Sequence, residues 1–136
     1  MDYLKYPERE IRHLLTVPFI WLLLGPIMLL DLFMELYHSV CFPVYGIKKI
    51  DRSKYVRVDR HKLKYLDIRQ KINCIYCGYS NGVLNYAATI AAETERYWCG
   101  IKHEKDDNFI EPRYHKDLLE YGDQEGFEEK YKESAE

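Results

Sequence analysis

Seventeen consecutive residues, Leu14 to Leu30, carry no charge, and only Thr16 among them is notably polar. Carrying the segment on to Met34 gives 21 residues with a single acid, Asp31. A span needs roughly 20 predominantly apolar residues to cross a hydrocarbon core about 30 Å thick. The segment reaches that length if Asp31 lies at the interface or faces protein. Pro18 and the Gly25-Pro26 pair weaken a straight helix. The expectation is therefore an N-terminal membrane helix, either a single kinked span or a re-entrant hairpin turning at Gly25-Pro26. The segment is too long for a signal-peptide core and no small-x-small cleavage site follows it, so it reads as retained.

The net charge of −2 averages two opposed blocks. Lys48 to Lys71 holds ten Lys/Arg against three Asp, a local net of +7. Glu104 to Glu136 holds twelve acids against five bases, a local net of −7. A basic block directly after an apolar segment reads as a cytoplasmic, membrane-proximal region that contacts anionic lipid. Its position favours lipid over nucleic acid as the partner. The acidic end reads as a solubilising tail.

Metal-ligand residues fall in two pairs. Cys74-Ile75-Tyr76-Cys77-Gly78 is C-x2-C followed by glycine, and Cys99-Gly100-Ile101-Lys102-His103 is C-x3-H. Three of the four cysteines are used, and the pattern is that of a tetrahedral Cys3His zinc site. Four protein ligands close the coordination shell, so the expected role is folding rather than catalysis. On this reading Gly78 completes a metal knuckle, Asn81-Gly82 is a turn, and a small-residue helix over Val83–Tyr97 delivers Trp98 and Cys99 to the metal. His61 and His115 stand alone in the sequence and carry no claim. The pair Cys99 and His103 also resembles the end of the mitoNEET-type CDGSH iron–sulfur motif. That resemblance covers those two residues alone: the first pair there is C-x-C, and Gly100-Ile101 stands where the motif has Asp-Gly. It implies iron, or an iron–sulfur cluster, as the alternative to zinc, and electron transfer as the alternative role.

Asp31, Glu35 and His38 lie at i, i+4 and i+7 and share one helix face. Glu35-Leu36-Tyr37-His38 has the Glu-x-x-His spacing of di-iron carboxylate proteins, though only one copy is present. The face is a candidate second metal site, and with it a membrane metalloenzyme. Otherwise it is the polar stripe of an interfacial helix that touches water or headgroups, and a one-sided ionisable face beside an apolar segment also suggests a partner or a dimer.

The fold expected is mainly α. A polar segment occupies residues 1–13, a membrane helix or hairpin 14–42, and a basic juxtamembrane region 43–72. A Cys3His module follows over 73–104, and the acidic tail over 105–136. Pro7 marks a helix start, Tyr55–Asp59 a short strand, and Asp59 the cap of a helix over Arg60–Ile72. The function expected is non-enzymatic: a membrane-anchored, zinc-binding accessory or assembly subunit. Its metal domain would lie on the cytoplasmic side, and its partner would be a larger membrane protein or a second copy.

Overall fold

The computed structural model describes residues 9–133, and within them the chain is mainly helical with no strand. Pro7, a helix start by its sequence, lies outside the described residues. Four α-helices appear in order: α1 (Glu10–Leu22), α2 (Leu24–Tyr45), α3 (Ile68–Trp98) and α4 (Gln124–Glu133). Short 3₁₀ turns sit at Arg52–Lys54, Arg60–Lys62 and Arg113–Asp117. The chain divides into two compact units, one ending at Ile90 and the other beginning at Ala91.

In the first unit α1 and α2 follow one another with no reversal. Leu23, between them, keeps right-handed helical dihedrals (φ −66°, ψ −19°), and its carbonyl accepts the Ile27 N–H at 3.2 Å. Pro26 falls in the first turn of α2, where a missing N–H costs little. Gly25-Pro26 is thus a joint in a continuing helix, and the hairpin expectation is corrected. Ile11–Tyr45 is long and apolar enough to cross a membrane, with a mean hydropathy of 2.1 in its apolar window. Pro43 does not stop α2, whose last residue, Tyr45, is followed by Gly46 in the left-handed region (φ 70°). There Gly46 N–H donates to the Pro43 carbonyl and Ile47 N–H to that of Phe42, the paired bonds of a glycine-terminated helix.

Helix α3 begins later than the expected start at Arg60. Asp59 precedes only a 3₁₀ turn and makes no side-chain capping bond there, and Tyr55–Asp59 forms no strand. The α3 cap is Asp67: its Oδ1 accepts the Gln70 N–H at 2.7 Å, while Gln70 Oε1 accepts the Asp67 N–H at 3.0 Å. This reciprocal pair satisfies two of the donors that a helix start leaves unbonded. Once nucleated there, α3 runs unbroken through Cys74, Cys77, Gly78 and Asn81-Gly82. No knuckle and no turn forms at these positions.

The reason for the two glycines is packing. A Cβ on Gly78 would sit 2.6 Å from the Arg57 carbonyl oxygen, and one on Gly82 would sit 2.7 Å from both the Tyr55 carbonyl oxygen and Val56 Cα. Four residues apart, they share one face of α3. Along that face the backbone of residues 55–57 lies directly against the helix. Further along α3, Val83, Tyr86, Ala87 and Ile90 repeat at helical spacing and are buried. Phe42, Tyr86 and Ile90 form the core of this unit, with Met34, Tyr37, Ile47, Ile50 and Tyr55 packed around them. Burial of each such side chain is worth about 1.5–3 kcal/mol.

The second unit is small. The end of α3 leads to Gly100 in the left-handed region (φ 66°), then to a parallel bridge between Ile101 and Leu119. Lys102 N–H donates to the Leu119 carbonyl at 2.8 Å, and Leu119 N–H to that of Gly100 at 2.9 Å. The bridge closes a loop whose inner residues, His115 and Leu118, are buried.

Gly82→Ala is expected to destabilise the fold by about 1–3 kcal/mol, because the new methyl overlaps backbone that cannot rotate away. Gly25→Ala places its methyl where nothing lies within 4 Å. It is expected to be neutral or stabilising by up to about 1 kcal/mol. Thermal unfolding of the two variants in detergent checks this. Equal effects would remove close approach as the reason for Gly82.

Candidate functional site

On the polar face of α2, Asp31 and His38 turn inward and find their partners within the chain, while Glu35 stays 40% exposed with Oε1 unbonded. Arg52 donates to both Asp31 oxygens, Nε to Oδ1 at 3.2 Å and Nη2 to Oδ2 at 2.6 Å. The Tyr79 hydroxyl donates to Oδ2 at 2.9 Å. Asp31 is left 13% exposed, and the same guanidinium stands 3.5 Å from Glu35. A bidentate arginine–carboxylate pair fixes both geometry and charge. Burial and the Asp31 bond push the Tyr79 phenol up, so it remains a donor.

His38 has neither ring nitrogen free. Its Nε2 accepts the Ile50 N–H at 2.9 Å, so the ring proton sits on Nδ1, which faces the Tyr86 hydroxyl at 3.0 Å. A neutral imidazole has one donor and one acceptor, and both are used. His38 Nδ1–H therefore donates to the Tyr86 hydroxyl. Burial, then the nearby Glu35 carboxylate, push the Tyr86 phenol up. The Glu-x-x-His motif thus holds α2, α3 and the segment around Ile50 together, and no lone pair of His38 remains for a metal. Much of this face is met by groups of the same chain. The partners are Arg52, Tyr79, Tyr86 and the Ile50 backbone.

The sequence-predicted ligands Cys74, Cys77, Cys99 and His103 are not gathered. Cys74 and Cys77 lie within α3, half-buried and exposed respectively, and Cys99 follows its last residue and is exposed. A helix rises about 1.5 Å per residue, so α3 carries the chain away from Cys77 instead of returning it to a common ion. Trp98, expected to pack over a metal, is exposed and meets Tyr97 edge-on.

His103 has different neighbours. In the second unit Glu95, His103 and His115 offer ligand atoms that all lie within 4.8 Å of one another. Glu95 comes from the last turns of α3, His103 from the loop after it, and His115 from the 3₁₀ turn Arg113–Asp117. His115 is 1% exposed, its Nε2 is 3.8 Å from Glu95 Oε1, and its Nδ1 is buried with no hydrogen-bond partner. Tyr114 donates to Glu95 Oε2 at 2.6 Å, a bond that pushes the phenol up and leaves Oε1 free. Phe109 and the two histidine rings stack into one cluster. Taking His115 as a lone histidine misses this group. The signal in the sequence is two of the five histidines, twelve positions apart, within reach of a helix-terminal glutamate.

Removing Arg52 tests the first cluster. Arg52→Met leaves Asp31 with only the Tyr79 donor and is expected to cost about 1–3 kcal/mol. Adding Asp31→Leu is expected to restore much of that loss, because replacing a whole ion pair by apolar groups is often near neutral. Denaturant unfolding of the single and double variants reads the difference, and additive losses would refute the pairing. No protein-family model matches this chain, and no match was found among curated proteins or among solved structures.

Proposed function

We propose that this chain is a membrane-anchored, non-enzymatic accessory or assembly subunit. The observation that carries the reading is the inverted polarity of α2. Asp31 and His38 face the interior of the first unit, 13% and 4% exposed, with Glu35 at its edge. Its apolar residues Leu29, Leu32, Phe33, Leu36, Val40 and Val44 point outward, Leu32 64% exposed. A water-soluble fold places such residues the other way round. A helix whose polar side meets protein and whose apolar side is bare suits a bilayer or the apolar surface of a larger membrane protein.

The outward apolar surface extends onto α3. Ile72 and Ile75 line an apolar groove of about 340 Å³ with Trp21, Leu24, Met28 and the ring of Tyr76. Tyr76 is fastened there by donating to the Ile20 carbonyl at 2.8 Å and by ring contact with Trp21 at 5.3 Å. The reading therefore takes the start of α3 into the apolar zone beside α1. Arg69 and Lys71, on the same turns, are long enough to reach headgroups. The basic block from Lys48 to Lys71 supports a cytoplasmic placement for the segment that joins α2 to α3. This reading does not depend on a metal at the cysteines.

The full chain is expected to stay with membranes through alkaline carbonate extraction and to need detergent for release. Leu32→Arg with Leu36→Arg is expected to weaken that retention while leaving the Asp31–Arg52 pair intact, because each charge at depth costs about 2.5–3.5 kcal/mol on insertion scales. Recovery of the unmodified chain as a monodisperse soluble monomer without detergent would overturn the reading.

A further inference from the structure

We infer that Glu95, His103 and His115 form a binding site for a divalent transition metal of the zinc class, with a coordination position left open. Two imidazoles and a carboxylate are a donor set that zinc takes with three protein ligands. With bonds of about 2.0–2.1 Å, tetrahedral ligands stand about 3.3 Å apart. Glu95 Oε1 and His115 Nε2 stand 3.8 Å apart, so that pair closes with a shift of roughly half an ångström, and all three ligand atoms lie within 4.8 Å of one another.

The surroundings are those of a metal site and not of a chance meeting of polar groups. Glu95 has one oxygen held by Tyr114, which aims the other at the histidines. If His115 Nε2 binds the ion, its Nδ1 must carry the proton. That atom is buried and unpartnered, and the nearest carboxylate is Glu111 Oε1 at 3.8 Å. The arrangement is thus one step from a carboxylate–histidine–metal relay, which fixes the tautomer and raises the basicity of the ligand. A metal-free role leaves the Nδ1 of a 1%-exposed histidine unexplained.

A cavity of about 180 Å³ opens beside His103 and His115, with Glu104, Asp106 and Glu111 on its walls. Lys102 and Lys105 also line it, both facing Glu120, so four acids stand against two bases around the opening. The opening admits water or one further small ligand at the fourth position. None of the cysteines takes part, and His103 is the one residue shared with the Cys3His pattern.

The test uses the full-length chain in detergent, stripped with chelator and titrated with zinc and then with cobalt(II). Saturable binding of one zinc per chain is expected. Glu95→Gln and His115→Gln should each weaken it by roughly tenfold or more, and Tyr114→Phe should weaken it with the helical circular dichroism unchanged. Cys74→Ser and Cys77→Ser should leave the affinity as it is. Bound cobalt should show no intense near-ultraviolet thiolate charge-transfer band, a reading that needs no variant to fold. A thiolate band, loss of binding in the cysteine variants with retention in Glu95→Gln, or no saturable binding at all would overturn the inference.

Discussion

The fork between Arg52 and Asp31 sets the orientation of the first unit. Asp31 ends the uncharged run of the long helix, and an isolated carboxylate there would be costly in an apolar setting. Two donors from Arg52 and one from Tyr79 neutralise it and point its side of α2 at the rest of the unit. Once that side is inward, Glu35, His38 and Phe42 follow by helical spacing, and the remaining apolar residues have to face out. The polarity of α2 is therefore a consequence of where one acid finds its base.

That base lies in the segment joining α2 to α3, so the segment has to be held close to both helices. Ile50 N–H donates to His38, and the backbone of residues 55–57 lies against Gly78 and Gly82. The glycines and the ion pair therefore support each other. A larger residue on α3 would push residues 55–57 away, and Arg52 belongs to the same short stretch of chain. Close approach of backbone to helix takes the place of side-chain interdigitation here.

The features legible in the sequence are those with local causes. The long apolar helix follows from an uncharged run, and the shared face of Asp31, Glu35 and His38 from spacing alone. Asp67-x-x-Gln70 is equally local, but its capping signal is masked by the basic residues around it. Gly78 and Gly82 mislead because a glycine has the same sequence signature whether it permits a turn or admits a neighbouring stretch of backbone. Only the long-range contact with residues 55–57 tells these apart. Arg52 looks like one of ten bases, and nothing in its neighbourhood marks it as the partner of an acid 21 positions earlier. The Glu95, His103 and His115 group has the same character, because three separate elements supply it.

His103 is where the two metal readings compete. In a Cys3His set it would complete a closed tetrahedron, and the metal would act only by holding the chain together. Beside Glu95 and His115 it belongs to a three-ligand set, and the same ion keeps a position for exchange. Helix α3 bears on both readings by simple geometry. Its unbroken run past Cys77 leaves the first cysteine pair without a second, while its last turns bring Glu95 to the loop that carries His103. The helix that disperses the thiolates is the one that positions the carboxylate.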